Sequence, residues 1–280
     1  MTYQSPISPG VSWYEASVGE RPDYATLDGS QSCDVLIIGG GFTGLSAAYH
    51  LAAKGVSVIL LEQAKLGDGA SGRNGGQFGT GQRAWVEEME PEIGFERSKA
   101  LFDMAEDAKA HMLAFADVHG IDMDYVPGQL SVVHKPSYLK DYQSHPGIMA
   151  GRYNYPHLTW MGAKETADRL GSSRYLGGTR DTGTGHIHPM KFLVGLAKTA
   201  AKAGAQLCEN SKVIKLATER GKVVAQTAAG TVTANKALLA VNAYGHDVEP
   251  VSAAHIMPSI EMPEMKEMKR LRRPPRPARV

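Results

Sequence analysis

The chain has 280 residues, of which 42% are hydrophobic, and its 30 Lys and Arg residues against 29 Asp and Glu residues give a formal net charge of +1. This length allows a sizeable core in one or two domains, and no apolar run reaches the roughly 18 residues that a membrane-spanning helix needs. Two cysteines, Cys33 and Cys208, are too few for a disulfide framework. We expect both to be reduced and the protein to be cytoplasmic, because the N-terminus lacks the pattern of a signal peptide.

An irregular arm, a strand, a glycine turn and a helix are predicted in that order. Residues 1–32 contain three prolines and form the arm. The next apolar run is typical of a parallel strand buried on both faces, and it leads into the sequence GGGFTG. In this pattern Gly39 permits a sharp turn, Gly41 lets backbone amides approach a phosphate, and Gly44 lets the helix pack closely on the strand. The N-terminus of the helix would then face the anion.

A second strand over 56–61 is followed by Glu62. This carboxylate comes 23 residues after Gly39, close to the separation at which an acidic residue hydrogen-bonds the adenosine ribose of a dinucleotide. The sequence therefore predicts a dinucleotide site within 33–62. The alternative is a unit of the same fold whose glycines serve packing only.

A polar, glycine-rich loop follows at 67–77 with the sequence GDGASGRNGGQ. A nicotinamide-dependent enzyme would normally enter its next helix here. The loop instead offers a hydroxyl, a guanidinium and several free amides, which suit a second, larger portion of a cofactor. A solvated linker is the alternative interpretation.

The middle of the chain predicts an inserted substrate domain of antiparallel sheet and helices over 82–184. Its predicted elements are a helix over 91–119, strands over 125–133 with a turn at Pro127 and Gly128, helices over 138–153 and 163–170, and a strand over 176–180. The chain would then return to the cofactor domain over 185–254. That part contains an amphipathic helix over 190–203 and a hairpin around Gly230.

The composition changes near the end of the chain. Residues 265–280 hold seven Lys or Arg residues and one Glu, so this segment carries +6 and the remainder of the chain −5. Because prolines interrupt it, we expect a disordered basic tail over 255–280. A nucleic-acid or anionic-membrane anchor is the alternative, but no aromatic residue is interleaved for base stacking. We expect neither partner.

Three segments resemble one family. The turn GGGFTGLSAA, the strand-terminal Glu62 and the segment GASGRNGGQ are similar to the D-amino-acid-oxidase-like family of FAD-dependent amine oxidases, especially its gamma-glutamylputrescine oxidase-like members. The segment SWYEAS at 12–17 fits the same subgroup, and the resemblance reaches about residue 256. It implies an α/β fold, with a Rossmann-like FAD-binding domain built on a parallel sheet at 33–81 and 185–254. The resemblance also implies an incomplete α+β substrate domain with an antiparallel sheet.

The resemblance also implies a set of FAD-binding residues. Gly39, Gly41 and Gly44 would contact the pyrophosphate, Glu62 the adenosine ribose, and Val213 the adenine through its backbone. Ser71, Arg73 and Asn74 would line the ribityl and flavin side, with Gly76 and Gln77 close to the isoalloxazine ring. Phe42, Thr43, Gln63 and Ala240 complete the predicted cofactor-binding set.

The implied reaction is oxidation of a C–N bond of a small amine or amino acid, by hydride transfer to flavin N5, giving an imine that water hydrolyses. The sequence names no catalytic base, and we expect no metal. His186 and His188 are candidates near the cofactor, with a structural role as the alternative for each. Tyr153, Tyr155 and Trp160 would line a substrate pocket or belong to the core.

The family's chain continues well past the point where the resemblance ends. We therefore expect a truncated or frameshifted product whose last 20 or so residues are not family sequence. The residues leave two other functions open, a non-catalytic FAD-binding fragment and an NAD-dependent dehydrogenase. The oligomeric state is also open.

Overall fold

The computed structural model describes residues 11–82, 84–245 and Val248. The expected basic tail over 255–280 lies outside these residues. Two compact units share the chain, one drawn from Met1–Arg73 and Leu193–Val280 and the other from Asn74–Phe192. The divisions therefore fall at 73/74 and 192/193, eight residues from the boundaries expected from the sequence in each case.

Helices and strands are interspersed along the whole of the described chain. They are α1 (Trp13–Ser17), β1 (Gly29–Ile38), α2 (Phe42–Ala52), β2 (Val58–Leu61), β3 (Gln77–Phe78), α3 (Val86–Ile93), α4 (Phe95–Val118), β4 (Val126–Val133), α5 (Leu139–Arg152), β5 (Leu158–Gly162), α6 (Ala163–Leu170), β6 (Gly177–His186), α7 (Pro189–Lys202), β7 (Gln206–Cys208), β8 (Lys215–Glu219), β9 (Lys222–Gln226) and β10 (Gly230–Leu239). Among the described residues, no helix combines the length and the apolar character that crossing a membrane requires.

The first unit contains a six-stranded sheet in the order β7-β2-β1-β10-β9-β8. Strands β7, β2, β1 and β10 run parallel, and β9 and β8 add an antiparallel edge. Leu36 and Ile37 of β1 are fully buried, as expected for a strand covered on both faces. β1 begins earlier than the sequence predicted, because Gly29 already pairs with Gly230 of β10.

The second unit contains a four-stranded sheet centred on β6. This strand pairs antiparallel with β4, with β3 and with β5. β6 extends to His186, so the segment expected to return to the cofactor domain ends this strand instead. The fold class is that predicted from the sequence, a parallel-sheet α/β unit together with an α+β unit.

Several elements differ from the prediction. The long helix expected over 91–119 is two helices, because Gly94 between α3 and α4 has φ +82. Pro127 and Gly128 form no turn; they lie within the single strand β4, where the pairing register shifts. The sequence pattern also missed the strands β3, β5 and β8, which are short or half-exposed. The arm expected to be irregular contains the short helix α1, capped by the Ser12 side chain, which accepts from the Glu15 amide at 3.1 Å.

Candidate functional site

A cleft opens in the first unit where β1 and β2 end. It contains about 920 Å³ of atom-free space and is open to solvent. Its lining comes from the glycine turn after β1, the segment after β2, the loop at 67–71 and the segments that follow β7 and β10. The cleft therefore lies at the carboxyl ends of parallel strands, the usual ligand position in such sheets.

The glycines of the turn are required by close approach of backbone. Gly39 has φ +109, and a Cβ there would lie 2.4 Å from the carbonyl oxygen of Ala240. A Cβ on Gly44 would lie 2.0 Å from the carbonyl oxygen of Gly39, so α2 can cross the end of β1 only because this position lacks a side chain. A Cβ on Gly41 would face the Ser71 hydroxyl at 2.8 Å. The turn is thus held tightly against its neighbours, with the first amides of α2 beside the cleft.

The N-terminus of α2 is capped from outside the helix. The amide of Phe42 donates to the Ser71 Oγ at 3.1 Å, and both residues line the cleft. A hydroxyl oxygen placed at a helix N-terminus marks a position that suits an anion. Ser71 and the first turn of α2 therefore form one polar corner of the cleft.

Glu62 forms a second polar corner of the cleft. Its Oε2 accepts from the amide of Gly40 at 2.7 Å, and its Oε1 accepts from the amide of Ala64 at 3.1 Å. Burial raises the pKa of the Glu62 carboxyl, and the two amides act in the opposite direction. On the main chain, the Glu62 amide donates to the Cys208 carbonyl at 2.8 Å. The amides of Gly40 and Ala64 therefore hold the carboxylate, and the end of β7 holds the Glu62 main chain.

Glu209 anchors the loop after β2. This side chain is 2% exposed, and its carboxylate accepts from the amides of Leu66 at 2.8 Å and Tyr24 at 3.3 Å. Burial raises the pKa of Glu209. Arg21 adds a hydrogen bond to the Leu66 carbonyl at 2.6 Å. The N-terminal segment and the loop after β2 are thereby tied to the same support.

Nine of the fourteen predicted cofactor-binding residues line this cleft. They are Gly39, Gly41, Phe42, Thr43, Glu62, Gln63, Ser71, Val213 and Ala240. Gly44 lies behind the turn, and Arg73 donates through Nε to the Asp68 carbonyl at 2.6 Å.

The other three predicted residues, Asn74, Gly76 and Gln77, belong to the second unit. There the amide of Gly76 donates to Asn74 Oδ1 at 2.9 Å. Gln77 begins β3.

The sequence motifs did not assign several residues that line the cleft. The polar and aromatic members of this group are Ser211, Lys212, Asn242 and Tyr244. The group also includes Gly40, the glycine whose amide donates to Glu62. Gly40 lies within the glycine motif, whereas the other four follow β7 or β10, where the sequence analysis named only Val213 and Ala240. No spacing rule marks the segments after β7 and β10, because only the folded sheet brings them to the turn.

Three of the residues that the sequence offered for catalysis or for a substrate pocket, His188, Tyr153 and Tyr155, make hydrogen bonds within the second unit. His188 Nδ1 accepts from the amide of Lys191 at 3.2 Å, which caps the first turn of α7, and burial lowers the pKa of His188. Tyr153 is 1% exposed and donates to Glu90. Tyr155 is 2% exposed and donates to Asp181 at 2.8 Å. Within the described part of the chain, no group of three or more His, Cys, Asp or Glu side chains is arranged to hold a metal ion.

The cleft fits the adenosine pyrophosphate half of a dinucleotide. Its glycine positions would be filled by Cβ atoms in any other residue, it faces the amides of a helix N-terminus, and it presents an oriented carboxylate at the end of the second parallel strand. These are the features by which this fold holds a pyrophosphate and a ribose.

Comparison with known proteins gives a family. The FAD dependent oxidoreductase family matches residues 34–278 of this chain. The match extends past residue 256, where the sequence resemblance was expected to end. The chain is similar to the probable oxidoreductase OrdL of Rhizobium meliloti (strain 1021), with 57% identity over 258 residues, 92% of this chain and 60% of that protein. It is also similar to the gamma-glutamylputrescine oxidoreductase of Escherichia coli (strain K12), with 35% identity over 248 residues, 88% of this chain and 58% of that protein.

Solved structures agree on the fold. The crystal structure of glycine oxidase from Geobacillus kaustophilus superposes with a TM-score of 0.67 and 24% identity, covering 78% of this chain and 57% of that one. The L-amino acid deaminase from Proteus myxofaciens superposes with a TM-score of 0.64 and 21% identity, covering 86% and 49%. The chain thus spans about three fifths of the length of the curated relatives it matches.

The family match decides between the two cofactors that the glycine motif allowed. FAD, and not a nicotinamide dinucleotide, is the cofactor of this family. The chain belongs to the family of FAD-dependent oxidoreductases.

Proposed function

We propose that the cleft of the first unit binds FAD and that the protein oxidises a C–N bond of a small amine, with gamma-glutamylputrescine as the first substrate to test. The observation that carries the proposal is the glycine turn at Gly39 to Gly44 facing Glu62, in a chain of this family. The choice of substrate is supported by the 35% identity to the gamma-glutamylputrescine oxidoreductase of Escherichia coli.

Each of the two polar corners of the cleft has a proposed role in binding the cofactor. The amides at the start of α2 and the Ser71 hydroxyl would bind the pyrophosphate, because both are polar and meet at the cleft. Glu62 would accept hydrogen bonds from the adenosine ribose. Its carboxylate is already oriented by Gly40 and Ala64, so little side-chain freedom is lost on binding. Val213 and Tyr244 would flank the adenosine end.

The remaining predicted contacts concern the flavin end. Arg73, Asn74, Gly76 and Gln77 stay proposals, based on the resemblance of the segment GASGRNGGQ to the family. When bound, FAD supplies the acceptor for the two electrons released by the amine. The protein's own task is to position the substrate carbon and to keep the reacting amine unprotonated.

An absorbance spectrum of the full chain, purified without added flavin, tests the proposal. We expect the bands of oxidised flavin, and we expect them to bleach when gamma-glutamylputrescine is added without oxygen. Putrescine, which lacks the glutamyl group, and glycine serve as matched comparison substrates.

Three other results would change the assignment. Bleaching by glycine alone would replace the substrate assignment while keeping the amine oxidation. Bound flavin that no amine reduces would favour the non-catalytic FAD-binding fragment. A colourless protein that takes up no FAD on reconstitution would overturn the proposal.

A further inference from the structure

The N-terminal segment 12–27, which we call the strap, contacts two of the segments that line the cleft. The Leu27 amide donates to Ser211 Oγ at 2.9 Å, and Ser211 lines the cleft after β7. The Arg21 side chain reaches the loop after β2, where four of the five residues 67–71 line the cleft. None of the described strap residues lines the cleft itself. Any effect of the strap on a ligand must therefore pass through these two segments.

Arg21 joins the strap to the loop as a buried cation. Its side chain is 7% exposed, its Nη2 donates to the Leu66 carbonyl at 2.6 Å, and its Nη1 lies 3.5 Å from Asp68 Oδ1. Nη1 also pairs with Glu15 of α1. The Asp68 side chain is 2% exposed. Loss of the guanidinium would therefore remove the counter-charge of a buried carboxylate, which is costly in a protein interior.

Leu66 is the residue through which the strap reaches the glycine turn. Its carbonyl accepts from Arg21, and its amide donates to Glu209 Oε1 at 2.8 Å. Its side chain is buried against Gly40, because a Cβ on Gly40 would lie 2.2 Å from Leu66 Cδ2. The Gly40 amide in turn donates to Glu62. Both backbone polar groups of Leu66 are thus held, while its side chain supports the turn.

Glu209 joins the strap, the loop and the segment after β7. Its Oε2 accepts from the Tyr24 amide at 3.3 Å, and its Oε1 accepts from the Leu66 amide. The Ser211 hydroxyl that accepts from Leu27 donates to the Glu209 carbonyl at 2.8 Å. These three segments therefore share one hydrogen-bonded support.

Hydrogen bonds within the loop connect Asp68 to Ser71. The Asp68 carbonyl accepts from Arg73 Nε at 2.6 Å, and the Gly72 amide donates to the Gly69 carbonyl at 3.1 Å. Ser71 lies inside this short, internally bonded stretch. A displacement of the loop at Asp68 would therefore displace the Ser71 hydroxyl from the start of α2.

The strap also influences the charge at Glu62. Burial raises the pKa of the Glu62 carboxyl, and the negative charge of Asp68 raises it further. Because Arg21 pairs with Asp68, it offsets part of that negative charge. Arg21 therefore acts on both polar corners of the cleft, on Ser71 through the loop and on Glu62 through Asp68.

We propose that Arg21 and Glu209 are positioning residues for FAD, which hold Leu66 and its loop so that Ser71 and Glu62 meet the cofactor. The inference rests on the proposed function, since it assigns the strap a role in the same cleft. A loop that is already ordered loses less conformational freedom when a ligand binds, which increases affinity without a direct contact.

Titration of the apoprotein with FAD, followed by flavin fluorescence, tests the proposal. Arg21→Met keeps the apolar stem of the side chain but removes the guanidinium, and it should raise the dissociation constant at least about tenfold. Arg21→Lys should recover most of the affinity, because an ammonium keeps the charge and can donate to the Leu66 carbonyl. Asp23→Asn is the matched control in the same strap. Asp23 pairs with Lys65 at 2.6 Å but is 82% exposed, so its replacement should leave the dissociation constant unchanged.

Hydrogen exchange of the apoprotein, measured by mass spectrometry, gives a second result that needs no flavin. The amides of residues 66–72 should exchange faster in Arg21→Met than in the parent or in Asp23→Asn, because the loop loses a support. The amides of β2 should exchange as in the parent. A variant that is only destabilised as a whole would exchange faster throughout the first unit, β2 included.

Glu209→Gln is a second variant, which decides the question if Arg21→Met does not fold. Only one of the two terminal atoms of glutamine is an acceptor, so the side chain cannot accept from both Leu66 and Tyr24 as the carboxylate does. It should raise the dissociation constant for FAD and speed exchange at residues 66–72, as Arg21→Met does.

The proposal is overturned if either variant, when folded, binds FAD as tightly as the parent. It is also overturned if FAD binding weakens while exchange at residues 66–72 stays that of the parent. A parent protein that takes up no FAD would overturn the proposed function. A parent that binds FAD, with variants that bind it equally well, would overturn only the role of the strap.

Discussion

At the scale of single residues, the cleft depends on three glycines that are needed for different reasons. Gly39 adopts a positive φ, Gly44 lets a backbone cross at contact distance, and Gly41 leaves space beside Ser71. The sequence predicted the sharp turn at Gly39 and the close packing at Gly44, because the motif encodes close backbone approach, and the phosphate role of Gly41 stays a prediction. It could not predict that Gly40 would bind Glu62, since that contact depends on how β1 and β2 pair.

Gly41→Val should abolish retention of FAD while the fold survives. The backbone of Gly41, at φ −86 and ψ −173, is accessible to valine, but the new side chain would enter the space between the turn and Ser71. Flavin content after purification is the measurement. Gly162→Val is the matched control, because Gly162 precedes α6 with φ −69 and ψ 172 and has nothing within 4 Å of its Cβ position. Flavin retained by the Gly41 variant would contradict the assignment of the pyrophosphate.

Glu62→Gln should weaken FAD binding by about 1 to 3 kcal/mol, roughly 5- to 150-fold in the dissociation constant. The amide side chain keeps one acceptor but cannot accept from both Gly40 and Ala64. The dissociation constant is measured by titration of the apoprotein with FAD, followed by flavin fluorescence. Glu219→Gln, at an exposed end of β8, should leave it unchanged. Equal affinity in both variants would remove the ribose role of Glu62.

At the scale of elements, local patterns predicted those parts of the fold whose burial is periodic. α2, α6 and the β9–β10 hairpin carry turn residues and apolar spacing of their own. The break at Gly94 was missed although a glycine with positive φ is a local signal for the end of a helix. The register shift between β4 and β6 was missed because strand pairing sets it, not the local pattern. The same is true of β3, a strand of two residues that exists only because β6 pairs with it.

The first turn of α7 should give the protein a measurable pH dependence. Burial lowers the pKa of His188 below its ordinary value of 6.5, and its Nδ1 accepts from Lys191 in the neutral form. The His188 imidazole is therefore protonated more readily in the unfolded chain than in the folded protein. The free energy of unfolding should fall as the pH drops through 6.5. The slope from this group is at most about 1.4 kcal/mol per pH unit.

Urea unfolding of the parent and of His188→Asn between pH 7.5 and 5.5 checks this expectation. Asparagine keeps a capping oxygen but does not titrate, so the variant should show a flatter profile. His134→Asn, at an exposed histidine before α5, should keep the profile of the parent. Identical slopes in the parent and His188→Asn would show that the cap does not sense pH.

At the scale of the whole molecule, the cleft is made by residues from both ends of the described chain. Its lining includes the turn after β1, at the start, and Ala240 to Tyr244, after β10. The sequence indicated both segments separately, the first by its motif and the second by resemblance alone. It offered no physical rule for their adjacency, because the parallel pairing of β1 with β10 joins partners with no local connection.

FAD should stabilise the full chain against unfolding, whereas NAD should not. A ligand that binds only the folded protein adds about 2.7 kcal/mol when present at 100 times its dissociation constant. Thermal unfolding with rising FAD concentration should therefore show a progressive increase in Tm, and the same series with NAD should be flat. An increase with NAD alone would return the nicotinamide alternative to consideration.

The pairing of β1 with β10 also dictates when the protein can acquire its cofactor. Asp34 of β1 and Asn235 of β10 are hydrogen-bonded at 3.0 Å although they are 201 residues apart in the chain. During translation the N-terminal motif leaves the ribosome long before its partner strand exists, so the nascent polypeptide lacks one wall of the cleft. We therefore expect this protein to bind FAD only after β10 has left the ribosome and paired with β1.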